Sequence, residues 1–227
     1  MALVCERSHF EDEFKALAAD PETHIQETFW TRKHMHENIQ VGLMSRTFCE
    51  HDSNYLQIIP YVVLINKNNP NEIYTYIRGG SGDETRLHGK CSVGLGGHIE
   101  EAPSGHIKLN DILIKCINRE LYEEVKFDLE EDENYLVADE LDEIISSGSA
   151  AYMYSASTID PNDVGQVHLA LVIKLHVNPS SLGGSEENVI TYGKFTDIKE
   201  LKKMHHDGTI TLEPWSARVL YEDEQVV

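Results

Sequence analysis

The longest apolar run of the chain, Ile58-Ile59-Pro60-Tyr61-Val62-Val63-Leu64-Ile65, lies inside Leu56–Asn66. Its β-branched, unalternating character predicts a strand buried on both faces. Asn68-Asn69-Pro70-Asn71 then reads as a turn, and Ile73–Arg78 as a second strand, so the two form a hairpin. Residues 86–99, RLHGKCSVGLGGHI, read as a short strand feeding a tight glycine turn. From Asn110 or Asp111, either a good N-cap, the period changes. Ile114, Ile117, Leu121 and Val125 recur at helical spacing and are expected to face the core. Leu113 and Ile117 share the sector of three later glutamates, so that face is expected to be buried first and acidic afterwards. Ala150–Ser155, Val167–Val177 and Val189–Phe195 read as strands, Ile198–His205 as a short helix, and Trp215–Tyr221 as a terminal one after Pro214. Strands on both sides of the central helix predict an α+β domain with a mixed sheet and helices on its faces.

The first fifty residues have a different pattern. Phe10, Phe14, Leu17 and Ala18 lie at helical spacing up to Asp20-Pro21, and a second helix is expected from Pro21 through Ile25, Phe29 and Trp30. Residues 1–50 are therefore expected to be an N-terminal helical extension, and residues 51–227 the main domain. Residues 128–142, DLEEDENYLVADELD, are expected to be a solvated acidic loop.

Composition narrows the functional classes. The net charge of −20 over 227 residues opposes binding to a nucleic-acid backbone, which needs a basic surface. Small anionic substrates stay open, because a metal and a few local cations can hold phosphate on an acidic protein. The apolar runs are too short to span a membrane, and MALVCERSHFEDEFK does not read as a secretory signal. Cys5, Cys49, Cys91 and Cys116 are widely spaced with no CxxC pair, so buried thiols in a reducing cytoplasm are expected rather than a disulfide framework or a zinc site.

The strongest chemistry lies in Arg119-Glu120-Leu121-Tyr122-Glu123-Glu124. Glu120, Glu123 and Glu124 fall at i, i+3 and i+4, on one helix face. Each like-charge pair weakens an isolated helix by roughly 0.2–0.5 kcal/mol. A hard divalent cation such as Mg²⁺, which takes oxygen ligands, would relieve that repulsion.

This stretch resembles the Nudix box, G-x5-E-x7-R-E-U-x-E-E-x-G-U, with U aliphatic. Gly105, five residues, Asp111, seven residues and Arg119–Phe127 match its spacing, with REUxEE complete. Asp111 stands where the box has Glu. Lys126 stands where it has the Gly that ends the helix, and the helix is allowed to continue. The usual glycine turn is present as Gly96-Gly97-His98-Ile99-Glu100, upstream of Gly105, with an extra loop expected within Ala102–Leu109. Gly97 matches the turn better than Gly105 does. Glu84-x-Arg86-Leu87, Val167-His168, Gly193-x-Phe195 and Glu213-x-Trp215-Ser216 are similar to features of bacterial and phage Nudix proteins, and the resemblance covers roughly residues 55–220.

The resemblance implies a Nudix α/β/α sandwich and hydrolysis of a diphosphate linked to another moiety, with Mg²⁺ or Mn²⁺ as cofactor. It implies metal ligation by Glu120, Glu123 and Glu124 and by the Gly97 carbonyl. Glu120 or Glu124 would orient the water, and Arg119 would hold Glu120. Glu187, beside Glu186 in a late loop, is a further candidate ligand. Arg78, Arg86 and Lys90 are candidates for substrate phosphate. His168 is read as a structural histidine and Trp215 as core. His34, His36, His205 and His206 lack metal-ligand spacing. The expected partner is a small nucleotide, with no membrane and no long nucleic acid, and the extension leaves a homodimer open. ADP-ribose, NAD(H), dinucleoside polyphosphates, nucleoside triphosphates and capped RNA ends all remain open as substrates. A Nudix-fold nucleotide-binding or regulatory module and a diphosphate isomerase using Cys91 are the alternatives.

Overall fold

The computed structural model describes residues 1–10, 28–31, 40–79, 87–104, 108–131, 134–147, 151–155, 166–183 and 190–222. In chain order these form β1 (Ala2–Glu6), β2 (Thr28–Thr31), β3 (Val41–Met44), a short helix α1 (Arg46–Cys49), β4 (Tyr55–Asn66), β5 (Glu72–Arg78), β6 (Cys91–Ser92) and β7 (Gly94–Leu95). Then follow α2 (Leu109–Val125), α3 (Tyr135–Ser146), β8 (Ala151–Ser155), β9 (His168–Val177), β10 (Ile190–Asp197), α4 (Ile198–His206) and α5 (Pro214–Glu222).

Mutual contacts divide the chain into two units. The first comprises Met1–Tyr61, Gly97–Ile117 and Leu141–Ile173. In it β1 pairs antiparallel with both β3 and the start of β4, while β8 pairs antiparallel with β2 and β9. The Gln57 N–H donates to the Val167 carbonyl at 2.8 Å, and the Leu3 N–H to the Ile99 carbonyl at 2.7 Å. The second unit comprises Val62–Gly96, Asn118–Glu140 and Lys174–Val227. In it β5 pairs antiparallel with β10, β4 and β6, and β4 with β7. The Lys67 N–H donates to the Val177 carbonyl at 2.9 Å. Residue 57 bonds to 167 and residue 67 to 177, ten steps in the same direction on each strand, so β4 and β9 run parallel and the strand pairing is mixed.

Strand β4 is buried along nearly all of its length, as its continuous apolar run requires. The β4–β5 turn closes as expected: Asn69 donates its N–H to the Asn66 carbonyl at 3.0 Å, and Asn66 and Asn69 side chains accept from Asn68 and Asn71.

Several expectations need correction. Where it is described, the lead is mostly strand (β1, β2 and β3), and its helical parts are only the single 3-10 turn Arg7–Phe10 and the short α1. Phe29 and Trp30 lie in β2, because Thr-Phe-Trp-Thr is a β-favouring sequence with a ladder partner in β8. The expected helix through Phe14, Leu17 and Ala18 falls outside the described residues. The acidic stretch is a loop only at its start. Helix α3 occupies its second half and buries Val137, Leu141 and Ile145, a four-residue spacing that outweighs the surrounding charge.

Helix α2 begins earlier than expected, at Leu109, and Asp111 is not its N-cap. The Lys108 carbonyl accepts the first helical bond from Ile112, and Asp111 Oδ2 accepts from the Lys108 N–H at 2.9 Å. Asp111 thus reaches back as the third-position acid of a capping box does. The buried stripe is Ile112, Leu113, Cys116, Ile117, Leu121 and Val125, with Ile114 only half-buried.

Candidate active site

The acidic face emerges at the last turns of α2. Glu120 is 9% exposed, three residues after the fully buried Ile117 and beside Leu121. Arg119 Nη2 lies 2.6 Å from Glu120 Oε1, and Arg119 Nη1 lies 3.0 Å from Glu123 Oε2. The arginine therefore braces two of the three carboxylates. Glu124 is half-buried, with Oε2 shielded from solvent and without a hydrogen-bond partner. Burial is the main reason its carboxyl is pushed up to about 8; the charges of Glu120 and Glu123 add to the rise, while Arg78 and a backbone hydrogen bond from Gly96 oppose it.

An oxygen shielded without a partner, amid two further carboxylates, fits a hard divalent ion. Such an ion supplies the positive charge this cluster lacks and accepts oxygen donors only. Glu120, Glu123 and Glu124 are the residues that would hold it.

The end of the helix is equally informative. Lys126 adopts φ 54°, a left-handed conformation rare for a side chain. The helix therefore stops where the Nudix box places glycine, and does not continue. The Lys126 N–H donates to the Tyr122 carbonyl at 3.0 Å and the Phe127 N–H to the Leu121 carbonyl at 3.2 Å. Lys126 Nζ sits 4.7 Å from the Tyr122 ring centroid. The Gly183 N–H closes the Val125 carbonyl at 2.7 Å, and a Cβ at Gly183 would lie 2.7 Å from Lys126 Cβ. Asn118 Oδ1 receives the Leu129 N–H at 2.9 Å and holds the chain after the helix.

Among the basic candidates, Arg78 lies over the Tyr76 ring at 5.6 Å, and Tyr76 itself donates to the Gly94 carbonyl at 2.8 Å. Lys90 is half-buried, and its carbonyl accepts the Arg78 N–H at 2.9 Å. The Gly96 backbone, at φ 152°, hydrogen-bonds Glu124. Arg86, Glu187 and Gly105 lie outside the described residues.

The C-terminal motif Glu213-x-Trp215-Ser216 is structural. Glu213 is 1% exposed; its Oε1 accepts from Ser92 at 3.1 Å and from Ser216 at 2.8 Å, and Ser216 Oγ accepts the Val93 N–H at 2.8 Å. All four cysteines are buried and form no disulfide. Burial pushes the Cys91 thiol up to about 11.

A second cluster lies apart from any sequence motif. Glu50, His98 and His168 each bring one potential ligand atom within 4.8 Å of the others. The sequence pattern makes His168 a structural histidine and gives Glu50 and His98 no role. Their separations along the chain, 48 and 70 residues, carry no motif. Only the pairing of β4 with β9 and the placing of the glycine turn bring them together.

No protein-family model matches the chain. The crystal structure of Tm1382, a candidate Nudix hydrolase, superposes with a TM-score of 0.63 at 19% identity, covering 100% of this chain and 99% of the other. That likeness establishes the Nudix fold. Protein YmaB of Bacillus subtilis is 32% identical over 177 residues, 78% of this chain and 75% of the relative. The chain belongs to the family of YmaB and has the Nudix fold.

Proposed function

We propose that this protein is a Mg²⁺- or Mn²⁺-dependent pyrophosphohydrolase that cleaves the diphosphate linkage of a nucleoside diphosphate derivative such as ADP-ribose, NAD(H) or a dinucleoside polyphosphate. The observation that carries this reading is the shielded, unpartnered oxygen of Glu124 beside Glu120 and Glu123 on the end of a complete REUxEE helix. When bound, the divalent ion would neutralise charge on the diphosphate and polarise its phosphorus–oxygen bonds. Glu120 or Glu124 accepts a proton from the water that attacks phosphorus, and Arg119 positions Glu120 through their 2.6 Å ion pair. Arg78, Arg86 and Lys90 offset the negative charge of the substrate, and the Gly97 carbonyl and Glu187 are available as further oxygen donors.

One observation supports a nucleotide-binding module without turnover: Arg119 already occupies both Glu120 and Glu123. The isomerase reading has less support, because Cys91 is 4% exposed and its thiol holds its proton. Incubating the purified protein with a panel of these diphosphates, with and without Mg²⁺ or Mn²⁺, separates the readings. Metal-dependent cleavage of at least one member is expected. Tight binding with no cleavage of any would favour the binding module.

A further inference from the structure

We infer that Glu50, His98 and His168 form a second metal site, built for a borderline divalent transition ion of the zinc class and chemically distinct from the carboxylate face of α2. His98 Nε2 and His168 Nε2 face each other at 3.3 Å, with the rings 5.4 Å apart between centroids and inclined at 67°. Glu50 Oε1 lies 3.6 Å from the same His168 nitrogen. Two ligand atoms about 2.0–2.1 Å from a tetrahedral zinc are separated by roughly 3.3 Å. The two observed separations are close to that spacing.

A purely structural hydrogen bond explains the geometry less well. One proton on either nitrogen accounts for the histidine pair alone; it does not account for Glu50 Oε1, already held by Gln57, approaching the same His168 nitrogen at 3.6 Å, beyond hydrogen-bond length. A cation between the three atoms meets a lone pair from each. The donor set of two imidazoles and one carboxylate selects zinc-class ions over Mg²⁺, which takes oxygen ligands. Three protein ligands would leave a fourth position for water, the arrangement of zinc sites that do chemistry rather than only hold a fold.

The ligands are held from behind, as metal ligands generally are. Gln57 is fully buried and donates from Nε2 to Glu50 Oε1 at 3.1 Å. Cys116 Sγ donates to the His98 carbonyl at 3.7 Å, and the Leu3 N–H pins the next residue through the Ile99 carbonyl. His168 is 5% exposed at the start of β9, directly after the Val167 carbonyl that accepts from Gln57. Glu50 is fixed at the end of α1 by its N–H to the Arg46 carbonyl at 3.0 Å. The Glu50 side chain is 24% exposed, which gives an ion a way in.

The test uses the full-length protein, stripped with a chelator and titrated with Zn²⁺ against a chromophoric competitor, and separately with Co²⁺. Expected are saturable zinc binding that excess Mg²⁺ does not displace, and the intense visible absorption of tetrahedral cobalt. His98→Gln and Glu50→Gln should each weaken zinc at least ~100-fold, since losing a ligand costs more than losing one of its supports. Glu123→Gln should leave zinc binding unchanged. His168→Gln should act like His98→Gln; if its buried position prevents folding, the two more exposed variants decide, with circular dichroism confirming their fold. Absence of zinc binding by the wild type, or binding unaltered in both His98→Gln and Glu50→Gln, overturns the inference.

Discussion

Glu124 is the residue on which the chemistry and the stability of the protein meet. Its carboxyl would ordinarily titrate near 4.5 and is pushed up to about 8 by burial and by Glu120 and Glu123. Below about 4.5 the folded and unfolded chains both carry the proton. Above that, the unfolded chain loses it while the fold keeps it, so the metal-free protein loses stability as pH rises through the window up to about 8. Thermal melts of metal-free protein across this window should therefore fall with pH, and Glu124→Gln should flatten that slope. Added Mg²⁺ should raise the wild-type melting temperature more at pH 8 than at pH 6, because the ion favours the ionised carboxylate. Equal increments at both pH values would separate Glu124 from the metal. Lys126 poses a local problem of a different kind. A left-handed side-chain residue costs roughly 1–2 kcal/mol, partly offset here by the Tyr122 contact. Lys126→Gly should raise stability by about 0.5–1 kcal/mol, read as a few degrees in the melt.

Helix α2 is constrained at both ends. Its first turn depends on Asp111, so Asp111→Ala should cost about 0.5–2 kcal/mol as a lost cap. If it instead abolished metal-dependent turnover at intact stability, Asp111 would belong to the metal site and not to the cap. At the other end, Gly183→Ala should cost about 1–3 kcal/mol, because its new Cβ would meet Lys126 Cβ at 2.7 Å. The elements legible in sequence are those whose own pattern fixes them. The buried run of β4, the Asn-rich turn to β5, and α4 with α5 fall within a residue or two of their expected bounds. Strand β2 and helix α3 differ from their expected forms for opposite reasons. In β2, two aromatics four and five residues after Ile25 mimic a helix until a partner strand is known. In α3, the charge of the stretch masks an apolar stripe at Val137, Leu141 and Ile145.

At the scale of the whole molecule, the net charge of −20 bears first on stability. Self-repulsion of this size destabilises the compact state and is screened by salt. Melting temperature should rise between low and moderate ionic strength, and RNA should not be retained by the protein at low salt. No helix among the described residues is long and apolar enough to cross a membrane. The carboxylate face of α2 could be found in sequence, because Glu120, Glu123 and Glu124 lie within one helical turn and a half. The Glu50, His98 and His168 cluster could not. Its members come from the end of α1, a glycine turn and the start of β9, and only the strand pairing brings them within 4.8 Å.

If the REUxEE carboxylates drive metal-dependent diphosphate cleavage, the reaction itself shows it. Phosphorus NMR of the best-turned-over diphosphate, incubated at saturating Mg²⁺ with wild type or Glu124→Gln, tests it most directly. The account predicts two phosphomonoester or nucleotide products from the wild type, no cleavage after chelation, and a rate at least ~100-fold lower in a folded Glu124→Gln. Wild-type rates retained by Glu124→Gln, or cleavage that persists without metal, would contradict it.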